Sequence, residues 1–183
     1  MRFGNDYMEL WDIYDINRNK TGKTIMRGCT LGQGEYHIAA QVCIFNSKGE
    51  MLIQQRMPFK DDWANMWDIT AAGSVISGET SQQAAQRELS EELGIDMDFS
   101  DVRPRFTVNF DRGFCDVYDV LADVDTESLV LQKEEVQAVR WADRRQILEM
   151  IENGKFITYY KSFIELIFDS RQSYGSHENE IRK

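Results

Sequence analysis

Three cysteines, Cys29, Cys43 and Cys115, are too few and too widely spaced for a disulfide framework, and none forms a CxxC pair of the kind that binds zinc. Such sparse cysteine fits a reducing compartment. No run approaches the roughly 20 apolar residues of a membrane-spanning helix, and the opening MRFGNDYMELWD lacks a basic-then-apolar leader. A cytoplasmic protein with no membrane partner is expected. Basic residues are also in short supply: 21 Lys and Arg stand against 31 Asp and Glu, a formal net charge of −10. That sign disfavours the phosphate backbone of a polymeric nucleic acid as a partner. A small anionic substrate stays compatible with it, because a bound metal reverses the local field. No internal repeat is present. What the chain does hold is 42% apolar residues over 183 positions, enough for one domain with a core and a small extension.

Read in order, the chain gives strands interrupted by one helix and closed by two more. Residues 9–14 and 23–27 flank the turn-rich 17–22 and predict an amino-terminal hairpin. Residues 37–45, apolar on nearly both faces, predict a buried strand, and 46–49 turn the chain back into 50–56. Residues 57–66 make a loop long enough to carry function. Further strands are expected at 67–72, 105–110, 114–122 and 136–141. Asp143, with Gln146 three residues on, caps a helix that Gly154 stops. Tyr160, Phe163, Ile164, Ile167 and Phe168 recur at helical spacing and predict a last helix over 158–169, with Tyr160 in its core and Tyr159 at its rim. The tail from Arg171 has almost nothing to bury and is expected to be disordered. This pattern indicates an α/β protein, a mixed sheet flanked by helices.

The most specific stretch is 73–95, GSVISGETSQQAAQRELSEELGI. Thr80 and Gln83 can form a capping box for a helix over 81–93, and Gly94 suits its left-handed stop. Glu88, Glu91 and Glu92 stand at i, i+3 and i+4 and share one face, beside a stripe of Ala85, Leu89 and Leu93 that would be buried. Three like charges on one turn repel each other unless a cation gathers them. An all-oxygen donor set suits a hard divalent ion such as Mg²⁺ or Mn²⁺. A solvated acidic face explains the charge, but not Gly73, Glu79 and Gly94 at their spacings.

Written out, Gly73, five residues, Glu79, seven residues, Arg87-Glu88-Leu89, Ser90, Glu91-Glu92, Leu93 and Gly94-Ile95 resembles the Nudix box at every defined position. The resemblance implies an α/β/α sandwich over 36–170, preceded by a hairpin extension at 1–35. It also implies metal-dependent hydrolysis of a small diphosphate, such as a nucleoside diphosphate linked to another moiety, X. Carried onto matching positions, it makes Glu88, Glu91 and Glu92 the ligands of Mg²⁺ or Mn²⁺. Arg87, Glu88 and Glu91 form the catalytic group, one carboxylate activating water, and Glu92 is the ligand least tolerant of change. Glu79 and Arg87 hold the loop against the helix, Gly73 allows close approach, and a later loop lends a further acid, Glu134 or Glu135. Arg56, Lys60 and Arg112 are the cations expected to meet the diphosphate. Trp67 is read as core, and Trp63 as core or as a stacking partner for X.

A wider stretch, 9–95, is similar to the Nudix branch that contains isopentenyl-diphosphate isomerase, through Trp11-Asp12, Asp15, Thr21-Gly22-Lys23, Tyr36-His37, Phe45-Asn46, Lys48-Gly49 and Trp67. Isomerase chemistry is therefore the rival reading. That branch uses a cysteine, with a metal histidine beside it, just before its box. Here the place holds Ala71-Ala72-Gly73-Ser74, and the isomerase's later glutamate falls near Gly113. His37 matches one isomerase metal histidine and, alone, is read as a hydrogen-bonded structural residue. A non-catalytic nucleotide-binding module is the third reading, opposed by the intact carboxylates. The hairpin could also pair across a homodimer.

Overall fold

The computed structural model describes residues 9–171, 174 and 175. Most of the tail expected to be disordered therefore lies outside the described residues. Of its described members, Tyr174 lies against the guanidinium groups of Arg103 and Arg105, 4.5 and 4.1 Å from its ring centre.

The hairpin forms as β1 (Leu10–Tyr14) and β2 (Lys20–Met26), a separate two-stranded antiparallel sheet with Leu10 opposite Met26 and Asp12 opposite Thr24. Its turn is built by Asp15, whose carboxylate accepts the N–H groups of Asn17 and Asn19 at 2.9 Å each, an Asx arrangement that short polar side chains favour. Arg18, at the tip, pairs with buried Asp116. Tyr14 and Tyr36 exchange backbone hydrogen bonds of 2.8 and 3.0 Å, so the hairpin is fastened to the body at both places.

The body is a seven-stranded mixed sheet: β3 (His37–Phe45), β4 (Met51–Arg56), β5 (Trp67–Asp68), β6 (Ala71–Ser74), β7 (Phe106–Phe110), β8 (Gly113–Leu121) and β9 (Val136–Ala142). The order runs β5-β4-β3-β8-β7, with β6 added to β3 and β9 to β4, and β3 runs parallel to β8. Residues 67–72, expected as one strand, are two. Between them Thr70 donates to the Leu52 carbonyl at 2.6 Å and accepts the Ile44 N–H at 2.9 Å. Its hydroxyl bridges β3 and β4 where they part, so the chain leaves β4 and continues against β3.

Alternation along β3 sends Ile38, Ala40, Val42 and Ile44 to one face, where Ala84, Ala85, Leu89 and Leu93 of α1 (Ser81–Leu93) cover them. Cys43 and Phe45 go to the other, with Met51 and Ile53, under α2 (Arg144–Glu152) and α3 (Lys161–Ser170). Each large aliphatic chain so buried contributes about 1.5–3 kcal/mol. The result is the expected α/β/α sandwich.

The last helix begins at Lys161 rather than 158, because the Trp67 N–H bonds the Lys155 carbonyl and the Ile157 N–H bonds the Trp67 carbonyl, both at 2.8 Å. That keeps the chain extended before it can coil. The expected roles of two tyrosines are consequently reversed. Tyr160 is 85% exposed, whereas Tyr159 turns inward, donates to Asp68 at 2.9 Å and accepts from Gln41 at 3.1 Å. No helix among the described residues is long and apolar enough to cross a membrane.

Candidate active site

Strand β6 leads through a turn at 75–80 into α1, and both ends of that helix are fixed locally. Thr80 accepts the Gln83 N–H at 3.2 Å while the Gln83 side chain accepts the Thr80 N–H at 2.8 Å, and Gly94 adopts φ +67° to cap the other end. The helix so placed brings Glu88 against Gly73, where any Cβ would overlap its carboxylate. Close approach is why glycine stands at 73.

Arg87 joins the site together. Its guanidinium donates to both oxygens of Glu79, at 2.8 and 3.1 Å, to the Ser74 carbonyl at 3.0 Å, to Glu88 at 2.7 Å and to Glu91 at 3.3 Å. Burial opposes its charge, but Glu79 and Glu88 outweigh that and hold it protonated. Glu92 lies deeper, 5% exposed, and accepts from Gln54 at 2.8 Å. Its backbone carbonyl takes the Gln132 N–H at 3.0 Å, tying the helix to the loop before β9.

Burial pushes the Glu88 carboxyl up to about 7 against the pull of Arg87, with Glu91 and Glu9 adding to the rise. Glu92 is pushed well above the usual range, first by burial and then by Glu88, with Gln54 opposing. Desolvated carboxylates that repel each other are stabilised in their charged form by a nearby cation. Among the described residues no three His, Cys, Asp or Glu side chains converge closely enough to hold a metal as they stand. Arg87 draws Glu88 and Glu91, and Gln54 draws Glu92. An oxygen-only set on one helix face, whose most buried member Glu92 has only the neutral Gln54 as partner, nevertheless fits a hard divalent ion.

Of the later acids, Glu134 is exposed, whereas Glu135 pairs with Lys60 at 2.6 Å and its charge is felt at Glu92. Lys60 is thus brought toward the helix carboxylates through Glu135. Arg56 donates to the Asp62 carbonyl at 3.3 Å, and its charge reaches buried Asp68. Arg112 instead donates to the Gly32 carbonyl at 3.2 Å, at the start of β8, on the opposite side of β3 from β6. Trp67 is half-buried with the Arg140 guanidinium 4.9 Å from its ring centre, and Trp63 is 45% exposed at φ +53°.

His37, expected to be held by hydrogen bonding, is held by stacking. Its ring lies 4.2 Å from Trp11 at 7°, and its Nδ1 is buried without a partner. A Cβ at Gly113 would overlap the His37 carbonyl and the Phe110 ring, so no side chain fits there. Cys43 is fully buried, and burial pushes the Cys115 thiol up to about 12.

Two participants escaped the sequence. Gln54 interrupts the apolar start of β4, and that break is its only trace in the sequence. Arg27, paired with Glu9 at 2.8 Å, carries its charge within reach of Glu88 and Glu135 because β2 folds back beside β1.

The chain is similar to known proteins in sequence and in fold. The NUDIX domain model matches residues 35–161. A Nudix hydrolase of Listeria monocytogenes is 45% identical over 170 residues, covering 93% of this chain and 99% of its own. An isopentenyl-diphosphate Delta-isomerase of Corynebacterium diphtheriae is 29% identical over 131 residues, covering 66% of this chain and 70% of its own. The crystal structure of a Deinococcus radiodurans protein superposes with a TM-score of 0.68 at 23% identity, covering 87% of this chain and 97% of that one. With the fold, the box and a near-full-length relative in agreement, the chain belongs to the Nudix hydrolase family.

Proposed function

We propose that the protein is a Mg²⁺- or Mn²⁺-dependent hydrolase that cleaves the diphosphate bond of a small molecule, of the nucleoside-diphosphate-linked-to-X type. The observation that carries this is a half-buried Glu88 beside a buried Glu92 that it repels, on a helix locked by Arg87 and Glu79. Glu88, Glu91 and Glu92 would hold the ion. When bound there, a divalent cation supplies polarisation of the phosphoryl oxygen and a more acidic water. Phosphoryl and nucleotidyl transfer need mainly positioning and electrostatics, and this chain supplies both. Arg87 fixes the direction of Glu88, Glu135 adds a carboxylate from the loop before β9, and Lys60, paired with Glu135, would meet a substrate phosphate. Arg56 stands at the end of β4 as a second cation. The catalytic domain is assigned to 36–170, with 1–35 as an extension.

The isomerase reading keeps His37 but loses the side chains of its protonation chemistry: Ala71 and Ala72 stand before the box, and no side chain fits at Gly113. Purified protein with Mg²⁺ or Mn²⁺ should release phosphate-containing products from at least one nucleoside diphosphate derivative in a panel. Conversion of a five-carbon diphosphate to its double-bond isomer, with no cleavage of any diphosphate, would overturn the assignment.

A further inference from the structure

The middle of the turn that enters α1 is held by a different sheet. Val75 at its start bonds Ile38 of β3, and Glu79 and Thr80 at its end bond α1. Residues 75–80 carry Glu79 to Arg87, and so set where Arg87 places Glu88 and Glu91. Within that turn the Ser77 N–H donates to the Leu10 carbonyl of β1 at 2.6 Å. The Ser77 hydroxyl donates to one oxygen of Asp12 at 2.7 Å, and the Gly78 N–H to the other at 3.0 Å. Gly78 sits at φ +91°, a left-handed conformation that glycine adopts without steric cost and that turns its N–H to Asp12. The turn's own contacts are fewer: Glu79 N–H to the Ile76 carbonyl at 3.1 Å, and Ile76 N–H to the Glu79 carboxylate at 3.3 Å.

Asp12 is fitted for this work. It lies opposite Thr24 in the hairpin and pairs with Lys20 at 2.7 Å. Burial alone would raise its carboxyl, but Gly78, Lys20 and Ser77 together hold it below the usual range. A charged carboxylate accepting a backbone N–H and a hydroxyl forms stronger bonds than neutral partners would. The hairpin is in turn fixed by the Arg18–Asp116 pair and the Tyr14–Tyr36 bridge.

We propose that Asp12 is a positioning residue for the carboxylate site: through Ser77 and Gly78 it fixes the turn that sets Glu79, Arg87 and Glu88, making the amino-terminal hairpin a working part of the enzyme. The proposal rests on the metal-dependent reading above. It requires no contact between Asp12 and substrate or metal.

The test is direct Mn²⁺ binding to the full-length protein, followed by electron paramagnetic resonance without substrate, beside kcat and KM. Asp12→Ala should weaken Mn²⁺ binding by about tenfold, the lower end of what disturbing the support around metal ligands costs. Its kcat should fall more than its KM rises. Asp12→Asn should recover most of the binding, since its amide can accept from Gly78 and donate to Ser77. If Asp12→Ala does not fold, Ser77→Ala decides: weaker Mn²⁺ binding supports the proposal and unchanged binding overturns it. Folded Asp12→Ala with unaltered Mn²⁺ binding and kcat also overturns it. An unaltered protein that binds no Mn²⁺ would overturn the metal reading and, with it, this proposal.

Discussion

Asp68 shows how a single buried acid ties stability to pH. Its carboxyl is 4% exposed and is raised by burial, against the opposing Ile69 N–H, Tyr159 hydroxyl and Arg56. At pH below the unfolded value the group is neutral in both states and costs nothing. As pH rises through the higher native value, the unfolded chain ionises freely while the folded one must charge a buried group, so stability is lost on the alkaline side. Asp68→Asn keeps the acceptor for Ile69 and Tyr159 and removes the charge. Thermal melts of both proteins should show the variant gaining on the unaltered protein as pH rises above the ordinary carboxylate range. A melting difference that does not change with pH, or that moves the other way, would contradict the assignment.

Helix α1 was the most sharply readable element in the sequence, because its signals are local. Thr80, Gln83 and Gly94 act within one turn of their own positions, so both helix ends fall where their spacing predicted. Long-range effects were hidden. The break between β5 and β6 depends on Thr70 reaching Leu52 and Ile44, and the late start of α3 depends on Trp67 pairing with Lys155 and Ile157. No periodicity within 67–72 or 158–169 records those partners. The contact between Gly73 and Glu88 yields a prediction for α1 and the strand before it. Gly73 does not have positive φ, so Gly73→Ala adds no backbone strain, only a methyl group where the Glu88 carboxylate lies. Hydrolysis should fall about 10- to 100-fold, as for other displaced ligands, while the melting temperature changes little. Unchanged kcat in a folded variant would show that Glu88 can work from a different position.

Across the whole molecule, the sandwich follows from a central strand with two apolar faces and helices with one apolar stripe each. The box named the chemistry from fixed spacings along one helix and its approach. The assembly around it was not readable, because it joins residues far apart in sequence: Gln54 to Glu92, Lys60 to Glu135, Asp12 to Ser77 and Gly78. Identity of X lies equally beyond the box, in loops such as 57–66 whose side chains face solvent. Everything proposed for the reaction passes through Glu92, which is buried on the helix face beside Glu88 and held by a neutral donor. The most direct measurement is the rate of Mg²⁺-dependent diphosphate cleavage by Glu92→Gln, with melting temperature as the control for folding. Loss of nearly all turnover in a variant that melts at or above the unaltered protein is the predicted result. Turnover at the unaltered rate would contradict a carboxylate-held metal at this helix.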